Sequence, residues 1–319
     1  MAEEGGRNLR QLGCGRRASP RMAPRVEDGK THSFWERWLQ IEWSAMEVAV
    51  ILVPYDCGYH RRRMGLGPER ILEAGLRPLF GKMGVRFTAE EVVLDSEYPT
   101  EITAAFQLAR KLADRVRACR AEGRFPIVLS GNCNAAVGTV SGCGPDSTGI
   151  VWFDAHGEAT TPETTISGFL DGMPISTILG RAWQRLAKTI PGFLPVPGRL
   201  ILLLDARAAE PSEVLLLEEL GVSRLSKPDE LSAKLVGVAK EVRQCYVHVD
   251  LDVLHPSVAR ANLWTPPGGI TVDDLIGGVL SVRRTTTIAA LGVGSYDPAC
   301  DQNGRALEAA MSAVQALVA

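Results

Sequence analysis

From residue 47 onward the chain alternates short apolar runs with longer stretches in which apolar residues recur every three or four positions. The runs at 48–53, 91–94, 126–129, 149–153, 199–204, 245–249 and 288–293 are apolar almost throughout, not at every second position. That is the pattern of strands covered on both faces. Helical periods fall near 68–79, 101–121, 174–187, 211–220, 228–242, 272–283 and 303–318. This alternation predicts an α/β chain of three layers, α/β/α, with helices on both faces of a mostly parallel central sheet of about eight strands. No internal repeat is visible.

The first 45 residues break the pattern. Residues 1–30 are rich in Gly, Arg and Pro and lack apolar periodicity, so they are expected to be disordered. The segment 34–39, Phe-Trp-Glu-Arg-Trp-Leu, has the pattern of a short amphipathic helix. Glu3, Glu4, Glu27 and Asp28 argue against a transit peptide, which is poor in acid. The expected organisation is a weakly ordered extension over 1–45 followed by one domain over 46–319.

Composition narrows the function classes. With 319 residues, 45% of them hydrophobic, the chain can bury a large core. Its 35 Lys and Arg against 37 Asp and Glu give a formal charge of −2, so no basic field for nucleic acid is implied. No apolar stretch approaches the roughly 20 residues that span a bilayer, and no membrane partner is expected. Seven cysteines, at 14, 57, 119, 133, 143, 245 and 300, show no paired spacing. An odd count of this kind points to a reducing, cytoplasmic setting.

Two clusters carry the candidate chemistry. Asp154-Ala-His156-Gly-Glu158 follows the apolar run at 149–153, and Asp250-Leu-Asp252 follows the run at 245–249. Alternate residues of a strand share a face, so Asp154, His156 and Glu158 can converge, as can Asp250 and Asp252. A lone Asp-x-Asp caps a loop more often than it binds an ion, and a lone His is more often a satisfied core residue. Two such clusters at strand ends reverse those odds, because strand ends are where parallel sheets build sites. Burying four carboxylates requires compensating cations. The donor set exceeds what one zinc takes and suits two ions such as Mn²⁺.

These residues also carry a family resemblance. Asp154 to Glu158 with the following 161–174 segment, and Asp250-Leu-Asp252-Val-Leu-His-Pro256 with Thr265-Pro-Pro-Gly-Gly269, resemble the second and last metal motifs of the arginase, agmatinase and formimidoglutamase family. The resemblance spans roughly 47–319. It implies two Mn²⁺ ions held by Cys133, Asp154, His156, Glu158, Asp250 and Asp252, with Asp154 and Asp250 bridging. Several positions depart from the family pattern. Cys133 stands where the family has a His, which opens that position to Zn²⁺ or Fe²⁺. Glu158 replaces an Asp, Asp171 replaces a proton-shuttling His, and Ser295 replaces a guanidinium-clasping Glu for which Asp297 is a nearby substitute. His248, two residues before Asp250, is either a replacement imidazole or a core histidine.

The resemblance further implies hydrolysis of a linear amidine or guanidine C–N bond by a metal-bridging hydroxide, with Glu158 or Asp171 passing the proton. Thr165 and Ser167 match positions used for a substrate α-carboxylate, and Glu210 and Glu213 positions used for an α-amino group. A small amino-acid-like guanidino or formimino substrate and a homo-oligomer are therefore expected. The alternative in a different class is a metal-binding pseudoenzyme of the same fold, acting as sensor or partner subunit; Cys133, Asp171 and Ser295 motivate it.

Overall fold

The computed structural model describes residues 47–95 and 100–318. The expectations for 1–45 fall outside those residues. Eight strands form the central sheet: β1 (Glu47–Val53), β2 (Arg86–Glu91), β3 (Phe125–Ser130), β4 (Thr148–Asp154), β5 (Ile201–Asp205), β6 (Ser223–Leu225), β7 (Gln244–Asp250) and β8 (Thr287–Gly294). Their spatial order is β2-β1-β3-β8-β7-β4-β5-β6, and every neighbouring pair is parallel. The inner strands are buried along nearly their whole length, all seven residues of β4 included. This is why they read as unbroken apolar runs.

The helices are α1 (Gly67–Ile71), α2 (Arg77–Met83), α3 (Glu101–Ala121), α4 (Ala135–Cys143), α5 (Pro174–Ile178), α6 (Gln184–Ala187), α7 (Pro211–Glu219), α8 (Pro228–Glu241), α9 (Val272–Thr285) and α10 (Arg305–Val318). A π-helical turn, Leu72–Leu76, joins α1 to α2. Helices α3, α4 and α5 pack in sequence in one layer, while α8, α9 and α10 do so in the other. The result is the expected three-layer α/β/α arrangement. No described helix is long and apolar enough to cross a membrane.

Four elements differ from the sequence reading. The second strand occupies 86–91, not 91–94: it is the half-exposed edge of the sheet, so its own sequence, Arg-Phe-Thr-Ala-Glu-Glu, carries few apolar residues. The strand β6 is three residues long and lies at the other edge. The helix expected over 174–187 is two short helices, separated at Gly180, which has φ +73°. Helix α4 was not read at all, because all nine of its residues are buried and it has no polar face. A Cβ on Gly138 would lie 2.5 Å from the Ala109 carbonyl oxygen, and one on Gly142 2.6 Å from that of Ala113, so small residues let α4 lie directly on α3.

Candidate metal centre

The carboxyl ends of β3, β4, β7 and β8 meet at the middle of the sheet, and the strand order reverses there. Such a switch point opens a crevice in doubly wound sheets. At the ends of β4 and β7 the backbone makes the same manoeuvre twice. The Asp154 Oδ1 accepts a 2.7 Å hydrogen bond from the His156 N–H, and the Asp250 Oδ1 accepts one of 2.9 Å from the Asp252 N–H. Each strand stops at its first aspartate, and an Asx turn then swings the residue two positions on toward the same point. The convergence of His156 and Asp252 thus comes from these turns and not from continued strand alternation. The Ala155 N–H donates to the Asp252 Oδ1 at 3.2 Å and ties the two ends together. Glu158 reaches the cluster from a left-handed backbone, φ 54°, a conformation that costs a non-glycine residue about 1–2 kcal/mol.

The resulting donor atoms fall into three groups, within each of which they lie no more than 4.8 Å apart: Asp154, His156 and Asp252; Cys133, Asp154 and Asp250; and Cys133, Glu158 and Asp171. Asp154 links the first group to the second, and Cys133 links the second to the third. The His156 Nδ1 is 3.3 Å from Asp252 Oδ2 and 3.5 Å from Asp154 Oδ1. The Trp152 indole donates to Asp154 Oδ2 at 2.8 Å, which leaves Asp154 fixed from both sides.

Cys133 lies in the turn between β3 and α4 and is 1% exposed. Its S–H donates to Asp250 Oδ2 at 3.1 Å, its Sγ is 3.4 Å from the Ser295 Oγ, and the His248 Nε2 is 3.2 Å away. His248 Nδ1 meets the Tyr246 hydroxyl at 2.8 Å, and the ring stacks on Trp152 at 3.8 Å. His248 belongs to none of the three groups. It is a core histidine standing behind Cys133, and burial pushes its pKa down to about 3. With the thiol S–H directed at Asp250, a neutral ring protonated on Nε2 would donate to sulfur and accept from the Tyr246 hydroxyl at Nδ1.

Burial and mutual repulsion govern the acids. Burial, reinforced by Asp252, raises Asp154 to about 6 against the relief given by His156 and Trp152. Glu158 and Asp250 are driven well above the usual carboxylate range by burial and by neighbouring carboxylates. Burial likewise raises Asp171 to about 8, although Asn134 N–H (2.9 Å) and the Asn132 amide (2.7 Å) donate to its two oxygens. Burial opposes protonation of His156, but its bonds to Asp154 and Asp252 prevail and push it up to about 11. Asp252 alone is lowered, because the His156 contact outweighs its burial. Glu158 Oε2 is buried with no hydrogen-bond partner among the described residues.

A cavity of about 510 Å³ opens above the cluster. Of the residues expected to touch substrate, Ser167, Glu210 and Glu213 line it and Thr165 does not. Thr165 Oγ1 instead accepts from the Gly168 N–H at 3.0 Å within its own loop. Glu213 accepts from the Ala159 N–H at 2.8 Å and the Glu210 N–H at 2.7 Å, so it also caps α7. Asp297 is absent from the lining. Its Oδ1 accepts from the Ala299 N–H at 3.0 Å, and it closes a local turn.

Sequence reasoning missed three contributors. The Asn262 amide donates to the Ser295 carbonyl at 2.8 Å and lies 3.5 Å from Asp252 Oδ2, while its Oδ1 accepts from the Trp264 N–H at 2.8 Å. Trp264 lines the cavity, 5.7 Å between centroids from Phe169. The Arg207 guanidinium binds the carbonyls of Asp252 (3.1 Å), Val253 (3.2 Å), Pro266 (3.0 Å) and Pro267 (3.0 Å), which fixes the Asp252 turn against the 265–269 turn. All three lie beside motifs that had been read, but none has a periodicity or spacing of its own to mark it.

Comparison with known proteins agrees with the fold and gives the family. The model of the arginase family matches residues 46–319. The chain is 32% identical to the hepatic arginase of Aquarana catesbeiana over 291 residues, which cover 83% of this chain and 88% of that one. It is 26% identical to the arginase of Bacillus subtilis (strain 168) over 290 residues, 85% of this chain and 97% of the relative. The crystal structure of arginase from Bacillus subtilis superposes with a TM-score of 0.76 at 24% identity, over 85% of this chain and 98% of that one. The chain belongs to the arginase family.

Proposed function

We propose that this protein is a metal-dependent amidinohydrolase that cleaves a C–N bond of a linear amidine or guanidine. Membership of the arginase family supports that reading at the level of the family. The observation that carries it is the convergence of buried acids around a buried carboxylate oxygen, Glu158 Oε2, that has no partner of its own. An orphaned acceptor amid carboxylates whose ionisation is suppressed by one another is the chemistry of a cation site.

Two divalent ions fit the donor set. Asp154, His156, Asp250 and Asp252 would hold one, and Cys133, Asp154, Asp250 and Glu158 the other, with Asp154 and Asp250 shared. The oxygen and imidazole donors suit Mn²⁺, and the sulfur admits Zn²⁺ or Fe²⁺ at its own position. When bound, such ions polarise the amidine and lower the pKa of a water toward neutrality. Asp171, anchored by Asn132 and Asn134 and facing the cavity, holds a proton near neutral pH and would deliver it to the departing amine. Glu158 is the second candidate for that step. Glu210 and Glu213 supply negative charge for a cationic group on the substrate, and Ser167 a hydroxyl. Assay of the Mn²⁺-loaded chain against arginine, agmatine and formimino compounds, with urea and formamide as readouts, tests the reading. Release of either product that disappears in Asp171→Asn supports it, and no turnover of any amidine by fully loaded protein contradicts it.

One arrangement favours a metal-binding pseudoenzyme. Cys133 is already satisfied by Asp250, His248 and Ser295, and Ser295 presents a hydroxyl where the family carries a carboxylate. Full metal occupancy without turnover is the outcome that this second reading expects.

A further inference from the structure

The cavity above the acid cluster has two unlike walls. Seven of its lining side chains are carboxylates, and among the described residues none is Lys or Arg. Two divalent cations would offset at most four of the charges these seven acids can carry, and the acids away from the ions, Glu101, Glu210 and Glu213, remain to face a further cation. An anionic group on a ligand would find no Lys or Arg there, and the one basic side chain of the lining, His156, is already taken up by Asp154 and Asp252. The loop hydroxyls do not remedy this: Ser167 Oγ accepts from the Phe169 N–H at 3.2 Å, and Thr165 is turned to Gly168 outside the lining.

The other wall is aromatic. Phe169 and Trp264 face each other at 5.7 Å with planes 33° apart, and Met64 joins them in the lining. Trp264 is 55% exposed, a large apolar surface left open at the mouth of a charged cavity. Both rings are held in register with the acids. Phe169 directly precedes the 3₁₀ turn Leu170–Gly172 that carries Asp171. Trp264 donates its N–H to Asn262, whose amide reaches toward Asp252. A cation is also favoured against aromatic faces.

We infer that the ligand is a monocation whose amidine or guanidine head enters the acid floor and whose body is aromatic or bulky and apolar, without a free carboxylate. The inference rests on the amidinohydrolase reading for the head group and departs from an amino-acid-like substrate for the rest. Benzamidine and phenethylguanidine are suitable probes, set against L-arginine and agmatine. Isothermal titration of each into the full-length chain in Mn²⁺ buffer is expected to give about tenfold tighter binding of the aryl compounds, the scale of one good aromatic contact. Trp264→Ala, at an exposed position, should erase that preference and leave agmatine within about twofold, as should Phe169→Asn. Arginine binding as tightly as the aryl compounds, or a preference unchanged in both variants, would overturn the inference. Product assays on the same samples separate the two claims. Aryl preference without hydrolysis of any compound retires the hydrolase reading and leaves the ligand class standing, whereas preferential binding and turnover of arginine does the reverse.

Discussion

The two halves of the metal centre are built on the same principle and furnished differently. At the ends of β4 and β7, Asp154, His156 and Asp252 make a polar, hydrogen-bonded pole with an imidazole half open to the cavity. Toward β3 and β8, Cys133, Glu158 and Asp171 make a fully buried pole of a thiol and two carboxyls, with His248 drawn back behind the sulfur. The first pole is set by local Asx turns. The second presents a thiol, with the His248 imidazole in the core beneath it. On the proposed reading, a hard-ion position and a softer one would therefore share Asp154 and, through Asp250, one wall.

The bridge between the poles is the most damaging place to cut. Asp154→Ala is expected to empty both positions and to lower turnover by about a thousandfold or more, the scale of several kcal/mol of lost transition-state stabilisation. The fold should survive, because removing one buried acid relieves repulsion among the others. Metal analysis and circular dichroism on one preparation check both halves of that expectation, and a variant that keeps either ion breaks the idea of a shared ligand.

Substitutions at Cys133 sharpen the contrast between the poles. Cys133→His should raise Mn²⁺ affinity by about tenfold, and Cys133→Ser should weaken Zn²⁺ and Cd²⁺ more than Mn²⁺. Alkylation of the native thiol should be slow in metal-loaded protein and fast after chelation. Equal alkylation rates in the two states would remove sulfur from the site.

Proton linkage distinguishes the metal-free chain from the loaded one. Asp154 and Asp171, raised to about 6 and about 8, bind protons more tightly folded than unfolded, so their contribution to stability is present at low pH and lost as pH rises through those values. His156, raised to about 11, acts in the same direction above its unfolded value. Melting of the metal-free protein should therefore occur at a lower temperature at pH 8 than at pH 6. Divalent ions should reverse the trend, since they displace those protons. A metal-free melting point that rises over this range would contradict the electrostatics of the cluster.

The smallest effect is expected at Asn132, which accepts from the Cys57 N–H at 2.8 Å and donates to Asp171. Asn132→Ala should cost about 1–3 kcal/mol of stability and lower kcat with little change in KM, since it frees Asp171 without touching the ion ligands. Kinetics beside thermal melts would show whether the anchor matters beyond structure.

Much of this was legible in the chain, and the failures have physical causes. Inner strands announced themselves because burial on both faces demands continuous apolar runs. The edge strand β2 did not, since half of it faces solvent. Helix α4 was hidden by its completeness of burial: the small residues that let it touch α3 leave no amphipathic stripe. Asp154, His156, Asp250 and Asp252 could be picked out as a set, but the reason given, strand alternation, was not the one the molecule uses. Asn262, Trp264 and Arg207 were invisible because their roles arise only when loops distant in sequence meet. His248 could not be assigned from sequence, as only the three-dimensional layering separates a ligand from the residue behind it.

The central claim, two cation positions of different chemistry sharing Asp154, is tested most directly by metal stoichiometry. Mass spectrometric metal analysis of chain purified without chelator and equilibrated with Mn²⁺ or Co²⁺ should give two ions per chain, falling to one in Asp252→Asn and in Cys133→Ser and to none in Asp154→Ala. The Co²⁺ form should show a sulfur-to-metal absorption band that Cys133→Ser loses and Asp252→Asn keeps. A native chain that takes up no metal after equilibration, or one whose Co²⁺ spectrum is the same with and without Cys133, would contradict the account.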